Sequence, residues 1–69
     1  MDNFSQHNIK VLRKRTGLTQ EKFSSMLGVS RAALGSYEEA RALVPVDILS
    51  KLSTMFAMSI DQLVKEKLA

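Results

Sequence analysis

Residues Gly17–Glu38 read GLTQEKFSSMLGVSRAALGSYE, and the punctuation of this stretch decides the fold. Thr19 stands where a hydroxyl can cap a helix over 20–27, with Glu21 in the first turn, where free N–H groups and the helix dipole favour an anion. Phe23, Met26 and Leu27 form the apolar stripe of that helix, and Gly28 ends it. Ser30 can cap a following helix over 31–39 that turns Leu34 and Tyr37, three residues apart, to one side. Between the two, Gly28-Val29-Ser30 makes a tight corner. Glycine supplies the positive φ of a sharp reversal, and Val29 can plug the apolar angle between the helices. Such a unit holds its second helix out from the body, with small and polar residues on the outer face.

Working outward, Ile9 and Leu12 at helical spacing predict a helix over 5–16 that stops before Gly17. On the other side, residues 40–45 form a connection containing the only proline. Pro45 disfavours helix at Val44, so a fourth helix is expected over 46–57, with Ile48, Leu49, Leu52, Met55 and Phe56 as a broad apolar face. Ser59 with Gln62 is a capping-box pattern, opening a fifth helix over 60–67 that carries Ile60, Leu63, Val64 and Leu68. Connections of two to six residues fit a compact all-α bundle of five helices, expected to form one domain over 1–69 without repeats or linkers.

Composition narrows the function. The chain has 69 residues, room for one small domain of modest stability. With no cysteine and His7 as the only histidine, disulfides, zinc–thiolate sites and a Ser/His/Asp triad have almost nothing to be built from. Ser24, Ser25, Ser36 and Ser53 have no general base at a suggestive spacing, His7 lies near a terminus expected to fray, and the three glycines form no phosphate-binding loop. No catalytic residue, metal, cofactor or small-molecule ligand is expected, and the chain is not read as an enzyme. No apolar run reaches the length of a membrane span and no signal-peptide pattern opens the chain, so a cytoplasmic setting is expected. The net charge of +3 is unevenly placed: residues 1–41 hold seven basic and four acidic side chains, residues 42–69 three of each. A one-sided basic field suits a polyanion, although a solvated face without a partner has the same composition.

From Ile9 to Val64 the sequence resembles the phage repressor and Cro-type helix-turn-helix regulators, the Xre-like family. The likeness is carried by Leu12-Arg13, Gly17-Leu18-Thr19-Gln20, Leu27-Gly28-Val29-Ser30-Arg31, Tyr37-Glu38, Pro45 and Met58-Ser59-Ile60-Asp61-Gln62-Leu63, in the family's order and spacing. It implies a lambda-repressor-like domain, bacterial or phage-derived and nucleoid-associated. Such a domain binds double-stranded DNA as a transcriptional regulator, in most relatives a repressor, by placing helix 3 in the major groove. Carried over position by position, Arg31, Ala32, Gly35 and Ser36 would face the bases. Gln20, Ser30 and Arg41 would meet backbone phosphates. Arg13 and Glu38 match a structural ion pair between helix 1 and the end of helix 3. Arg31 is best equipped to read guanine through O6 and N7, with a phosphate clamp as its other reading. Lys14 and Arg15 read as solvated charge.

The chain departs from the family at three places. Ala40 stands where a glycine commonly follows the Glu-x pair; either the alanine adopts positive φ at a cost of roughly 1 kcal/mol, or helix 3 runs on and shifts Arg41. Glu39 puts an acid where a neutral side chain often approaches phosphate. Ala32, Ala33 and Gly35 leave the recognition face short of hydrogen-bonding groups, which points to reliance on phosphates and DNA shape. Gly35 serves either close approach to DNA or nothing beyond tolerance.

Relatives usually act as homodimers on pseudo-palindromic sites. Met55, Val64 and Leu68 are the expected self-association surface unless they complete the monomer's own core. No ligand-sensing domain follows within these residues, so regulation is expected from concentration or a partner. The alternative is a protein-interaction module, antitoxin-like, that keeps the fold with little or no DNA binding.

Overall fold

Three of the five helices begin at a hydroxyl side chain that replaces a backbone partner the first turn lacks. The computed structural model describes residues 3–69; Met1 and Asp2, the latter counted in the charge balance above, lie outside the described residues. Five helices follow one another: α1 Ser5–Thr16, α2 Gln20–Leu27, α3 Arg31–Glu38, α4 Val46–Phe56 and α5 Ile60–Lys65. There is no strand among the described residues. Thr19, Ser30 and Ser59 each accept the backbone N–H three residues on, at 3.2, 3.0 and 3.0 Å. Gln62 returns the bond at the last of these to complete a capping box. Pro45 precedes α4. At α1 the Asn3 carboxamide oxygen accepts from the Ser5 N–H at 3.0 Å, a role the sequence reading did not assign.

The helix ends divide into two kinds. Gly17 and Gly28 end α1 and α2 in the left-handed region, at φ 75° and 74°. Ala40 and Ala57 adopt the same region after α3 and α4, at φ 59° and 51°. At α3 the Arg41 N–H bonds Ser36 O at 2.8 Å and the Ala40 N–H bonds Tyr37 O at 3.1 Å, a Schellman closure with alanine at its left-handed position. Of the two outcomes open for Ala40, the chain takes the strained one, and α3 stops at Glu38, not 39. α4 likewise stops at Phe56, one residue short of expectation, because Ala57 reverses the chain. α5 stops at Lys65 and not at 67, because Glu66 is extended and sends the last residues back along α1.

The core gathers one or more side chains from every helix. Ile9, Leu12, Phe23, Leu27, Leu34, Tyr37, Ile48, Leu49, Leu52 and Leu63 are buried, together with Val44 of the connection. Val29 packs against this cluster from the corner, and the Phe56 ring meets Phe23 with centroids 6.4 Å apart. One expectation needs correction: Met26, placed on the α2 stripe, is exposed. Of the two readings open for Met55, Val64 and Leu68, Val64 and Leu68 take the second and pack against the core, whereas Met55 stays exposed. Among the described residues the most exposed large apolar side chains are Leu43 and Val46, flanking Val44-Pro45.

A polar seam joins α1 to the end of the chain. Asn8 is wholly buried; its amide nitrogen donates to Leu63 O at 2.8 Å and Glu66 O at 2.6 Å, and its oxygen accepts from the Leu68 N–H at 3.0 Å. The Phe4 N–H bonds Val64 O at 2.7 Å, and His7 Nε2 lies 2.8 Å from Leu68 O. The segment expected to fray is thus tied down. Lys51 of α4 donates to Leu27 O at 2.8 Å, placing a cation on the C-terminal end of α2, where the dipole favours it. A Cβ at Gly28 would come within 3.1 Å of that ammonium. The glycine therefore serves both the turn and the approach of Lys51.

Candidate nucleic-acid interface

Burial of Leu34 and Tyr37 fixes the rotation of α3, so its opposite side faces outward. Arg31 and Ala32 are exposed and Gly35 and Ser36 half-buried along that side. These four, with Gln20 from the start of α2 and Glu39 and Arg41 from the end of α3, line one open cleft of about 670 Å³. Ser30 sits at the head of α3; its oxygen accepts the Ala33 N–H, and its hydroxyl proton is left for an acceptor outside. The tight corner and the half-buried Val29 set α2 and α3 at the angle that brings Gln20 beside the exposed side of α3.

A second set of bonds braces the cleft from below. Arg13 Nε donates to Glu38 Oε2 at 2.7 Å and Nη2 to Oε1 at 3.0 Å, a two-point pair. Arg13 Nη1 also donates to Leu18 O at 3.0 Å, so one guanidinium ties α1, the α1–α2 turn and α3. The Glu38 side chain is 2% exposed and that of Arg13 15%. The hydrogen bond to Glu38 raises the Arg13 pKa further above its ordinary value, against the opposing pull of burial. Arg13 is therefore held for structure.

Gln20 donates its amide to Glu38 Oε1 at 3.1 Å, a bond the sequence reading missed. Its second N–H and its oxygen are not used in that bond. Arg41 Nη2 meets Glu39 Oε2 at 2.7 Å, both side chains being mostly exposed. The Glu39 carboxylate lies beside Gly35, where an added Cβ would stand 3.8 Å from Oε2 in ordinary contact. The four-residue spacing of Gly35 and Glu39 was the signal available for this, and the sequence reading treated the two separately. Arg15, read as solvated, donates to Ala69 O at 3.2 Å. The described residues hold no group of three or more side chains suited to a metal. None of their helices is long and apolar enough to cross a membrane.

A short capped helix, a glycine corner and a second capped helix with a bare outer side define a helix-turn-helix. The helix-turn-helix family profile matches residues 9–63, most of the chain, and the chain belongs to that family. It is 36% identical over 59 residues to the antitoxin PezA of Streptococcus pneumoniae serotype 4, spanning 86% of this chain and 37% of that protein. Over 57 residues it is 33% identical to the SPbeta prophage-derived HTH-type transcriptional regulator YonR of Bacillus subtilis strain 168, spanning 83% of this chain and 53% of that one. A crystal structure of a transcriptional regulator from Listeria innocua superposes over the whole of this chain and 64% of its own, with a TM-score of 0.85 and 25% identity. The chain thus spans between about a third and two thirds of the length of these relatives.

Proposed function

We propose that the chain is a sequence-specific double-stranded DNA-binding module of a transcriptional regulator, a repressor acting as a homodimer on a pseudo-palindromic operator. The observation that carries this reading is the outward side of α3, which presents Arg31 in one open cleft with Gln20 of α2 and Arg41. In the bound state α3 lies in the major groove. Arg31 reads guanine, the Ala32 methyl meets thymine, Gly35 admits close approach and Ser36 adds an undiscriminating hydroxyl. Ser30, Arg41 and the remaining Gln20 N–H meet phosphates beside the free N–H groups of the two helix starts. Support for a homodimer comes from Leu43 and Val46, exposed together at the α3–α4 connection, and paired recognition helices would sit ~34 Å apart.

A protein-interaction role, antitoxin-like, has the similarity to PezA and the acid in the cleft in its favour. Selection from a randomised duplex pool at two salt concentrations separates the readings. Enrichment of a pseudo-palindrome, with log K falling by ~0.9 per phosphate contact as log salt rises, is the expected result. Failure to bind any duplex at low salt would overturn the DNA reading in favour of a protein partner.

A further inference from the structure

Glu39 is the one acid among the residues that line the cleft. It follows the last residue of α3, lies beside Gly35 and meets Arg41 at 2.7 Å through one oxygen, Oε2. Among the described residues its other oxygen has no hydrogen-bond donor. A carboxylate carried into a groove between phosphates is repelled unless a base edge donates to it. In the major groove only the amines of cytosine N4 and adenine N6 donate, and adenine sets the acceptor N7 beside its amine. Thymine and guanine oppose the carboxylate with acceptors. Cytosine alone offers a donor with no acceptor of its own beside it. Besides Arg31, the recognition side offers only Ala32, Gly35 and Ser36, which discriminate little, so this contact would be a large part of what the module reads.

We infer that Glu39 is a specificity-determining residue that accepts a hydrogen bond from a cytosine amine in the major groove, with Arg41 as the positioning residue that steers its carboxylate and screens it from phosphate. This rests on the DNA-binding reading. The experiment is duplex selection with the wild-type chain, Glu39→Gln and Glu39→Ala, at one fixed salt concentration, each checked for an unchanged melting curve. Glutamine keeps the shape but pairs best with adenine N6 and N7. The expected result is one position where the wild type prefers cytosine by roughly 5- to 150-fold, Glu39→Gln prefers adenine, and Glu39→Ala prefers no base. Both variants should also bind unselected duplex more tightly, through loss of a like charge. Identical base preferences in all three pools, with uniform tightening in the variants, would overturn the inference and leave the DNA-binding reading standing. No binding by the wild type to any duplex would overturn both.

Discussion

The seam between α1 and the chain end and the cleft between α2 and α3 are both polar, but their polar atoms have opposite fates. In the seam, both N–H groups of the Asn8 carboxamide and one lone pair of its oxygen are taken up by backbone groups of residues 63–68, around a side chain closed to water. In the cleft, Arg31 has no side-chain ion pair among the described residues, Ser30 keeps a proton to give, and the Glu39–Arg41 pair is open to solvent. Exposed ion pairs of that kind contribute little to stability, roughly 0–1 kcal/mol. Between these extremes lies Glu38, buried like the seam but bonded to Gln20, which lines the cleft. The difference separates what holds the fold from what it presents, and the two should respond to different measurements.

Removing the seam amide is the severest test. Asn8→Ala deletes three hydrogen bonds and leaves two carbonyls and one N–H without partners. At about 1 kcal/mol each the loss is about 3 kcal/mol, read as a lower denaturant midpoint. A change below 1 kcal/mol would show that water enters the seam and that its burial is unimportant. Glu38→Gln keeps the shape but removes the charge opposite Arg13, and should cost about 2 kcal/mol in the same experiment. It should also weaken duplex binding through the freed Gln20; a change in binding with no change in stability would place Glu38 with the cleft. Arg31→Ala should do the reverse. It leaves the melting curve unmoved and costs roughly 1–3 kcal/mol of binding at one base pair, whereas equal loss on every sequence would make Arg31 a phosphate clamp.

The smallest effect expected is a gain. Ala40→Gly relieves a left-handed alanine and should raise stability by about 1 kcal/mol, a rise in Tm of roughly 4–8 °C for a domain of this size. If stability falls instead, the entropy that glycine adds to the unfolded chain outweighs the strain.

The helices were legible because their signals are local. Thr19, Ser30 and Ser59 cap through groups three residues away, and the apolar spacing of Leu34 and Tyr37 needs only one turn to be read. The ends were less so: nothing in Ala40 or Ala57 announces a left-handed residue, since alanine favours helix and only the surrounding closure forces the reversal. Asn8 was invisible because its partners are backbone atoms 55 to 60 positions away, and any residue can supply a carbonyl. Periodicity gave Val64 and Leu68 an apolar side without saying what covers it, and it is the chain's own core. At the cleft the sequence pointed to a face, while the bonds within it, Gln20 to Glu38 and Arg41 to Glu39, depend on side-chain reach.

The Asn8 seam also bears on how the chain comes to be folded. The amide sits in the first of these five helices to be synthesised, yet every one of its partners lies within residues 63–68. Until those residues emerge, a nascent chain carries in α1 a polar group that is comfortable only in water, so α1 is discouraged from burying itself early against α3. The seam acts as a late latch: it ties completion of the core to synthesis of the fifth helix, and a chain truncated before residue 63 should remain open, protease-sensitive and without a fixed α3.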